Sequence, residues 1–104
     1  MIKLEIFIPC SHLDALREAL HSAGAGMMGN YDNVMGYSPV KGFFRPLPGA
    51  CPYDGEIGVL TETDELKVEV CCETEALAKT VTAIRAVHPY EVPVINAISL
   101  LSIQ

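Results

Sequence analysis

The sequence predicts an α+β domain of the ferredoxin-like type, with the element order β-α-β-β-α-β and a long loop between the second and third strands. Residues 2–8 and 66–72 alternate apolar and polar side chains with the period of a β-strand. Residues 13–23 and 77–87 repeat apolar side chains every three or four positions, as amphipathic helices do. The 104 residues, 50% of them hydrophobic, are enough for one core, so we expect a single domain spanning 1–104.

The first strand and the first helix follow directly from this periodicity. Isoleucine and leucine occupy every second position from Ile2 to Ile8, and Pro9 ends the strand. Ser11 and Asp14 are the expected N-cap pair of the helix, and Gly24 is its expected end. The apolar face of this helix consists of Leu13, Leu16, Leu20 and Ala23.

The middle of the chain has the weakest pattern. We expect a second strand from Asn30 to about Tyr37 and a further short strand around Gly42 to Arg45. Residues 38–64 are rich in proline and glycine, which predicts a long excursion. Because this excursion also contains large apolar side chains, we expect it to pack against the protein rather than to act as a linker. They are Phe43, Phe44, Leu47, Tyr53, Ile57 and Leu60.

The last third of the chain predicts a strand, a helix and a strand. The strand at 66–72 is followed by Thr74 as the expected cap of the second helix, and His88-Pro89 ends that helix. The last strand is expected at Val94 to Ile103 and is apolar on both sides. Since both helices cover the same face of such a sheet, the other face requires solvent or a partner, and the apolar last strand favours self-association.

The composition excludes several classes of function. Thirteen acidic residues against seven basic ones give a net charge of −6, and the basic residues are scattered, so no nucleic-acid partner is expected. The N-terminus does not resemble a signal peptide, and no apolar run approaches the length of a membrane span. We therefore expect a soluble cytoplasmic protein with no membrane partner.

The four cysteines fit a reducing compartment. They contain no C-x-x-C pair, so we expect free thiols. Cys71 and Cys72 are adjacent in a strand and point to opposite faces, which disfavours a shared metal. We expect Cys10 to be a buried apolar residue, with a reactive thiol at a helix start as the alternative.

Residues 24–29 read G-A-G-M-M-G, which has the glycine spacing of a dinucleotide-binding loop. In a dinucleotide fold this loop follows a strand and opens a helix, whereas here it follows a helix and leads into a strand. The sequence therefore predicts no dinucleotide site. We interpret Gly24 or Gly26 as a left-handed helix C-cap and Gly29 as a site of close backbone packing.

The best candidates for a functional site are His88, Tyr90 and Glu91. His88 and Glu91 are candidate ligands of a divalent cation. The alternative is a hydrogen-bonded corner, in which His88 binds the last carbonyls of the second helix and Tyr90 packs at an interface. Cys10 is expected near His88, but no orienting group or oxyanion donor is evident, so we expect no enzymatic activity.

Arg45 is a second candidate, as a clamp for a phosphate or carboxylate group or as the partner of an acidic side chain that pins the loop. Asp32, beside Tyr31, is either a turn stabiliser or the anionic partner of Arg45. The topology places residues 88–91 and parts of 38–64 at one edge of the sheet and the glycine loop at the other. Only a neighbouring subunit would bring the two together.

Three motifs in register carry a family resemblance: G-A-G-x-x-G-N-Y-D at 24–32, G-x-F-R-P-L-x-G-A-x-P-x-x-G-E at 42–56, and H-P-Y-E-x-P at 88–93. Together they resemble the insert domain of the NGG-one-interacting-factor-three family, YqfO type. The segment A-V-H-P-Y-E-V-P is also similar to part of the CutA divalent-cation-tolerance proteins, and both families are similar in fold to PII signalling proteins.

The resemblance implies a PII/CutA-like homotrimer with ligands in the clefts between subunits and a regulatory loop after the second strand. The metal site of the larger family lies in its main domain and is not expected here. Val40 stands where the family often has glycine, and Cys51 stands where asparagine is common.

The sequence as a whole predicts a non-catalytic cytoplasmic oligomer that is a ligand-binding or interaction module. The expected ligand-binding residues are Arg45, Tyr31, Asp32 and Tyr90. One alternative is a divalent-metal-binding protein that uses His88 and Glu91. A divalent metal ion is the only cofactor that the sequence suggests. The other alternative is a nucleotide or anion sensor that uses Arg45 and the 38–64 loop.

Overall fold

The computed structural model describes residues 1–101, and within them a four-stranded antiparallel sheet has the order β2-β3-β1-β4. Both helices pack on one face of this sheet, so the predicted α+β class and the element order are confirmed. The strands are β1 (Ile2–Ile8), β2 (Met35–Phe44), β3 (Thr61–Cys72) and β4 (Ile95–Ser99). The helices are α1 (Leu13–Ser22) and α2 (Leu77–Val87).

The core lies between the helices and the two central strands. Alternate residues of β1, from Ile2 to Ile8, and of β3, from Leu66 to Cys72, are buried against the helices. The helices contribute Leu16, Leu20 and Ile84, each 0% exposed. The expected burial of alternate positions in these strands is therefore confirmed.

The sheet face turned away from the helices is charged. Glu5 Oε2 lies 3.6 Å from Lys3 Nζ and 3.4 Å from Lys67 Nζ, and Lys3 also pairs with Glu69. The pairs Lys67–Glu5 and Lys3–Glu69 join neighbouring strands, and such cross-strand pairs of opposite charge stabilise a solvated sheet face. Ile98 of β4 lies opposite Lys3, so this face also has an apolar side chain at the β4 edge.

The second strand is longer than the sequence indicates. β2 runs unbroken from Met35 to Phe44, so the expected strands at 30–37 and 42–45 overlap with the two ends of one element. The expected start at Asn30 was wrong, because residues 30–34 precede the strand. Pro39 lies inside it, paired with Leu66. The prediction of a break was wrong because β2 is an edge strand, where a residue without an N–H group is tolerated. The excursion expected at 38–64 shortens to the connection 45–60.

The end of the β2–β3 hairpin extends beyond the rest of the sheet. β1 pairs with β3 only from Leu66 onward, so Thr61–Glu65 pair with β2 alone. We call residues 40–65, which comprise this two-stranded part and its connection, the arm. Large apolar side chains on the arm are more than 40% exposed; they are Phe43, Leu47, Tyr53, Ile57, Val59 and Leu60.

The end of α1 confirms the prediction at Gly24, whereas the predicted N-caps were wrong. Gly24 has φ +89°, its N–H donates to His21 O at 3.0 Å, and the N–H of Ala25 donates to Leu20 O at 3.0 Å. This is the Schellman arrangement, which satisfies two carbonyls of the last turn. At the other end, Ser11 Oγ lies 2.8 Å from His12 Nδ1 instead of capping the helix. Short 3₁₀ turns, Cys10–His12 and Thr74–Ala76, lead into the two helices in place of side-chain caps.

The close backbone approach in the glycine loop occurs at Gly26, not at Gly29 as expected. The N–H of Gly26 donates to Cys71 O at 2.9 Å, and its carbonyl accepts from the N–H of Val34 at 2.9 Å. A Cβ atom on Gly26 would lie 3.1 Å from Val34 O, whereas one on Gly29 would have no neighbour within 4 Å. The prediction failed because the spacing of glycines does not show which one meets another segment.

The last strand is shorter than the predicted Val94 to Ile103. β4 covers Ile95–Ser99 and pairs with β1 at the edge of the sheet, and residues 102 and 103 lie outside the described residues. Ile98 is 41% exposed, so part of the apolar surface predicted for the last strand is accessible. None of the helices in residues 1–101 combines the length and the apolar character that crossing a bilayer requires.

Candidate functional site

Three of the predicted site residues, Arg45, Tyr90 and Glu91, meet at one recess of about 380 Å³. The recess lies between the arm and residues 88–94, next to the N-terminal half of β3. Its apolar walls include Phe43, Phe44, Leu47, Tyr53, Val92 and Val94. Volumes of this order are typical of small-molecule sites, which are mostly apolar with a few polar groups.

His88 does not line the recess, but it is hydrogen-bonded to Tyr90, which does. Its side chain is 8% exposed, its Nε2 lies 2.7 Å from Phe7 O, and its Nδ1 accepts the N–H of Tyr90 at 3.2 Å. Because Nδ1 accepts, the proton of the neutral ring is on Nε2, which donates to Phe7 O. His88 thus links β1 to the segment that follows α2.

Burial lowers the pKa of His88 below its ordinary value of 6.5, and the positive charge of nearby His12 acts in the same direction. The hydrogen bond to Phe7 O and the charge of Glu65 oppose this shift. The predicted hydrogen-bonded corner is therefore present, but the carbonyl that His88 binds belongs to β1 rather than to α2. A metal ion at His88 would have to displace one of the two hydrogen bonds.

Tyr90 and Glu91 are fixed by contacts with the arm. The hydroxyl of Tyr90 donates to Glu65 Oε2 at 2.8 Å. Burial raises the pKa of Tyr90, and the neighbouring Glu65 carboxylate raises it further. The ring of Tyr90 lies 4.9 Å from that of His88 and 5.9 Å from that of Tyr53, centre to centre. Glu91 Oε1 accepts the backbone N–H of Cys51 at 3.1 Å. The segment 88–91 is thereby joined to β1, to β3 and to the 45–60 connection.

Arg45 differs from the other charged groups of the recess. Among residues 1–101 no carboxylate lies within 4.0 Å of its guanidinium group, so the expected ion pair with an acidic side chain is absent from the described structure. By contrast, the three carboxylates of the recess all accept hydrogen bonds from the chain. Asp54 accepts the N–H of Gly55 at 2.9 Å, Glu65 accepts from Tyr90, and Glu91 accepts from Cys51.

Tyr31 and Asp32, the other predicted ligand residues, lie at the opposite end of the sheet. The glycine loop that carries them binds Cys71 at the end of β3, whereas the recess lies against Thr63 and Glu65 near its start. Asp32 Oδ1 accepts from the side-chain amide of Asn33 at 3.0 Å, which is a contact between neighbouring side chains and not the side-chain-to-backbone bond of an Asx turn. The predicted separation of the glycine loop from residues 88–91 within one subunit is confirmed.

The four cysteines differ in exposure. Cys10 and Cys51 are exposed, so the expectation of a buried Cys10 was wrong; Cys10 starts a 3₁₀ turn outside the buried face of α1. Cys72 is buried and Cys71 is half-buried, which confirms that they point to opposite faces. Residues 1–101 contain no group of three or more His, Cys, Asp or Glu side chains that could hold a metal ion.

Sequence reasoning missed Glu65, the partner of Tyr90. The signal was present, because Glu65 continues the polar series of Lys67 and Glu69 to the position just before Leu66. Tyr53 was noted only as an apolar residue of the loop, although its ring flanks Tyr90. These partners are 25 and 37 residues from Tyr90 in sequence, so no local motif connects them.

Curated relatives of the chain are longer proteins described as GTP cyclohydrolase 1 type 2 homologs. The protein from Halalkalibacterium halodurans is 41% identical over 93 residues, which is 89% of this chain and 25% of the relative. The protein from Mycobacterium leprae is 35% identical over 99 residues, which is 95% of this chain and 26% of the relative. The chain therefore spans about a quarter of the length of the curated relatives it matches. No family model matches it.

Among solved structures, a Bacillus cereus protein described as related to NIF3 superimposes with a TM-score of 0.83 and 30% identity, over 95% of this chain and 25% of that one. The predicted resemblance to the insert domain of the NGG-one-interacting-factor-three family is confirmed. The chain corresponds to one segment of these longer relatives, in agreement with the three motifs.

The fold is also that of the CutA proteins. The periplasmic divalent cation tolerance protein CutA of Archaeoglobus fulgidus superimposes with a TM-score of 0.72 and 20% identity, over 100% of this chain and 88% of that one. The PII-like protein CutA of Nostoc sp. PCC 7120 gives a TM-score of 0.70 at 16% identity, over 96% and 81% of the two chains. These likenesses confirm the predicted PII/CutA-like fold of the insert-type domain.

Proposed function

We propose that the protein is a non-catalytic ligand-binding module that assembles as a PII/CutA-like homotrimer in the cytoplasm. Its ligand is a small molecule held in the recess between the arm and residues 88–94. The observation that carries this proposal is the convergence of Arg45, Tyr90 and Glu91 on a recess of about 380 Å³ with apolar walls. The four free thiols fit a reducing compartment.

The hydrogen bonds around the recess support binding rather than catalysis. A general base or nucleophile needs a free lone pair or a labile proton directed at the substrate. The groups best suited to that role are already used by the fold: both ring nitrogens of His88, the hydroxyl of Tyr90 and an oxygen of Glu91 make hydrogen bonds within the chain. These bonds pre-form the wall of the recess, and pre-formed walls favour binding because little ordering is needed.

The arm supports self-association. A two-stranded hairpin with exposed apolar side chains is only marginally stable alone in water. Ile57 and Leu60 on the arm are 46% and 66% exposed and do not line the recess, and contact with other subunits would remove this apolar surface from water. The trimer itself is inferred from the fold that the chain shares with CutA and PII-like proteins.

The proposal is tested by a titration of the labelled protein with a library of small aromatic and aliphatic acids, amides and amines, followed by NMR. We expect at least one class to shift the amide signals of residues 90–94 and of the arm. Ala50 lines the recess, so Ala50→Leu should fill part of it and weaken binding, whereas Ala15→Leu, on an exposed position of α1, should leave binding unchanged. Absence of binding in the recess would contradict the proposal.

The divalent-metal alternative at His88 and Glu91 stays a prediction. Calorimetric titration with copper, zinc and cobalt at neutral pH tests it. Binding that is lost in His88→Ala would support the metal site. The absence of heat, or binding that is unchanged in that variant, would rule it out.

A further inference from the structure

We infer that the ligand of the recess is an organic monoanion: one carboxylate or similar group on a flat aromatic or aliphatic body. This inference rests on the proposed function, because it names the class of molecule that the recess would bind. The recess combines one unpaired cation with three hydrogen-bonded carboxylates and apolar walls, and each of these features restricts the ligand.

The sign of the ligand charge follows from the state of the charges around the recess. The guanidinium group of Arg45 has no carboxylate within 4.0 Å in the described part of the chain. Asp54, Glu65 and Glu91 each accept a hydrogen bond from a nearby N–H or O–H group. Within residues 1–101 Arg45 is thus the charged group of the recess that has neither a hydrogen bond nor an ion pair within the chain. A planar carboxylate is the group that a guanidinium binds with two parallel hydrogen bonds.

The same carboxylates limit the ligand to a single negative charge. Asp54, Glu65 and Glu91 line the recess together with Arg45. A second or third anionic group on the ligand would have no further cation among the residues that line the recess, and these three carboxylates would repel it. This argues against a nucleoside di- or triphosphate, which is one ligand class of the alternative nucleotide or anion sensor.

The apolar and aromatic side chains of the walls indicate the shape and polarity of the uncharged part of the ligand. Phe43 and Val92 are 69% and 78% exposed, and both line the recess. The rings of Tyr53 and Tyr90 stand 5.9 Å apart and inclined at 52°, so they form an aromatic side of the recess. A flat apolar body would cover these side chains, since aromatic groups gain most when they pack against one another away from water.

The inference is tested by NMR titration of the full chain with four named probes: 2-naphthoate, 2-naphthamide, 2-naphthylmethylammonium and ADP. The first three share one ring system and differ in charge. We expect 2-naphthoate to bind the recess more tightly than the other three. In Arg45→Gln its Kd should rise about 10-fold, which corresponds to one charged hydrogen-bonded contact, while the Kd of the amide should not change.

The control variant is Arg85→Gln, which removes an exposed arginine of α2 and should leave every Kd unchanged. Arg45→Lys should restore part of the affinity for 2-naphthoate, because it keeps the charge without the planar fork. The comparison of acid with amide in the unmodified protein requires no variant, so it remains decisive if Arg45→Gln fails to fold.

The failure of this inference is distinct from failure of the proposed function. If 2-naphthamide, the amine or ADP shifts the recess signals at lower concentration than 2-naphthoate, the monoanion class is wrong although the recess binds small molecules. If 2-naphthoate binds equally well in Arg45→Gln, the role of Arg45 is wrong. If no probe shifts signals in the recess, the inference fails, and the broader library then decides the proposed function.

Discussion

At the scale of single residues, the role that the sequence suggests for His88 differs from the role that it has in the structure. In the sequence it is a histidine near a carboxylate, a pattern that suggests a metal ligand. In the structure its two ring nitrogens join Phe7 O to the N–H of Tyr90. Nε2 donates to Phe7 O whether or not the ring is protonated, whereas Nδ1 accepts the N–H of Tyr90 only in the neutral ring. Protonation would turn Nδ1 into a donor that faces another donor.

This arrangement predicts a pH dependence of stability. The pKa of His88 is lowered from 6.5 in the folded protein, so below that pH the unfolded chain binds the proton more readily than the folded one. The free energy of unfolding should therefore be highest above pH 6.5 and should fall as the pH drops toward the lowered pKa, by at most about 1.4 kcal/mol per pH unit.

The measurement is urea unfolding between about pH 7.5 and about pH 5.5. His88→Gln, whose amide also donates a hydrogen bond, should lose the dependence that belongs to His88. His21→Gln, a change at an exposed histidine of α1, should keep it. An equal slope in His88→Gln and the unmodified protein would show that His88 does not cause the effect.

The backbone conformation and the close contacts at position 26 favour glycine. Gly26 has φ +77°, and a Cβ atom would lie 3.1 Å from Val34 O. Gly26→Ala should lower the free energy of unfolding by about 2–3 kcal/mol, because strain of the left-handed conformation is added to this close contact.

Gly29→Ala separates the two effects. Gly29 has φ +55° with no atom within 4 Å of a Cβ, so its substitution should cost only the conformational strain, about 1 kcal/mol. Gly36→Ala, with neither feature, should change stability by less than about 0.5 kcal/mol. Equal losses at the first two positions, measured by urea unfolding, would contradict the contact at Gly26.

At the scale of secondary structure, periodicity predicted the elements that have one buried face. β1, α1, α2 and the second half of β3 each place apolar residues on one side, and their patterns were sufficient. β2 was predicted as two separate short strands, and the first half of β3 was missed. Both errors arose because these segments pair with each other largely outside the core, where burial does not select an alternating pattern. The proline and glycine residues of β2 suggested that the strand is interrupted, but its pairing with β3 is continuous because an edge strand tolerates these residues.

The link between the segment 88–94 and β3 gives a prediction at this scale. Tyr90→Phe removes the bond to Glu65 at 2.8 Å and leaves the half-buried carboxylate without its donor. We expect the free energy of unfolding to fall by about 1–2 kcal/mol. Tyr31→Phe, at a side chain that is 73% exposed, should change it by less than about 0.5 kcal/mol. Thermal or urea unfolding of both variants checks this, and equal effects would show that the Tyr90 hydroxyl contributes nothing.

At the scale of the whole molecule, the predicted topology indicated which candidate site residues lie near one another. Topology alone predicted that residues 88–91 and the arm share an edge, and Arg45, Tyr90 and Glu91 do line one recess. Glu65 was missed because the pairing of the arm, which sets its position beside Tyr90, has no local signature. A motif shows which side chains are near in sequence, whereas a site depends on distances across the fold.

The exposed arm gives the last prediction. Leu60 is 66% exposed on the arm and does not line the recess, so it tests assembly separately from ligand binding. If the arm packs against neighbouring subunits, Leu60→Lys should place a charge in an apolar interface and shift the protein toward monomer, because an unpaired buried charge is costly. Ala78→Lys introduces the same side chain on an exposed position of α2 and should leave the trimer intact. Sedimentation at micromolar concentration measures all three proteins; an unmodified protein that sediments as a monomer would contradict self-association, and a trimer unaffected by Leu60→Lys would place the interface elsewhere.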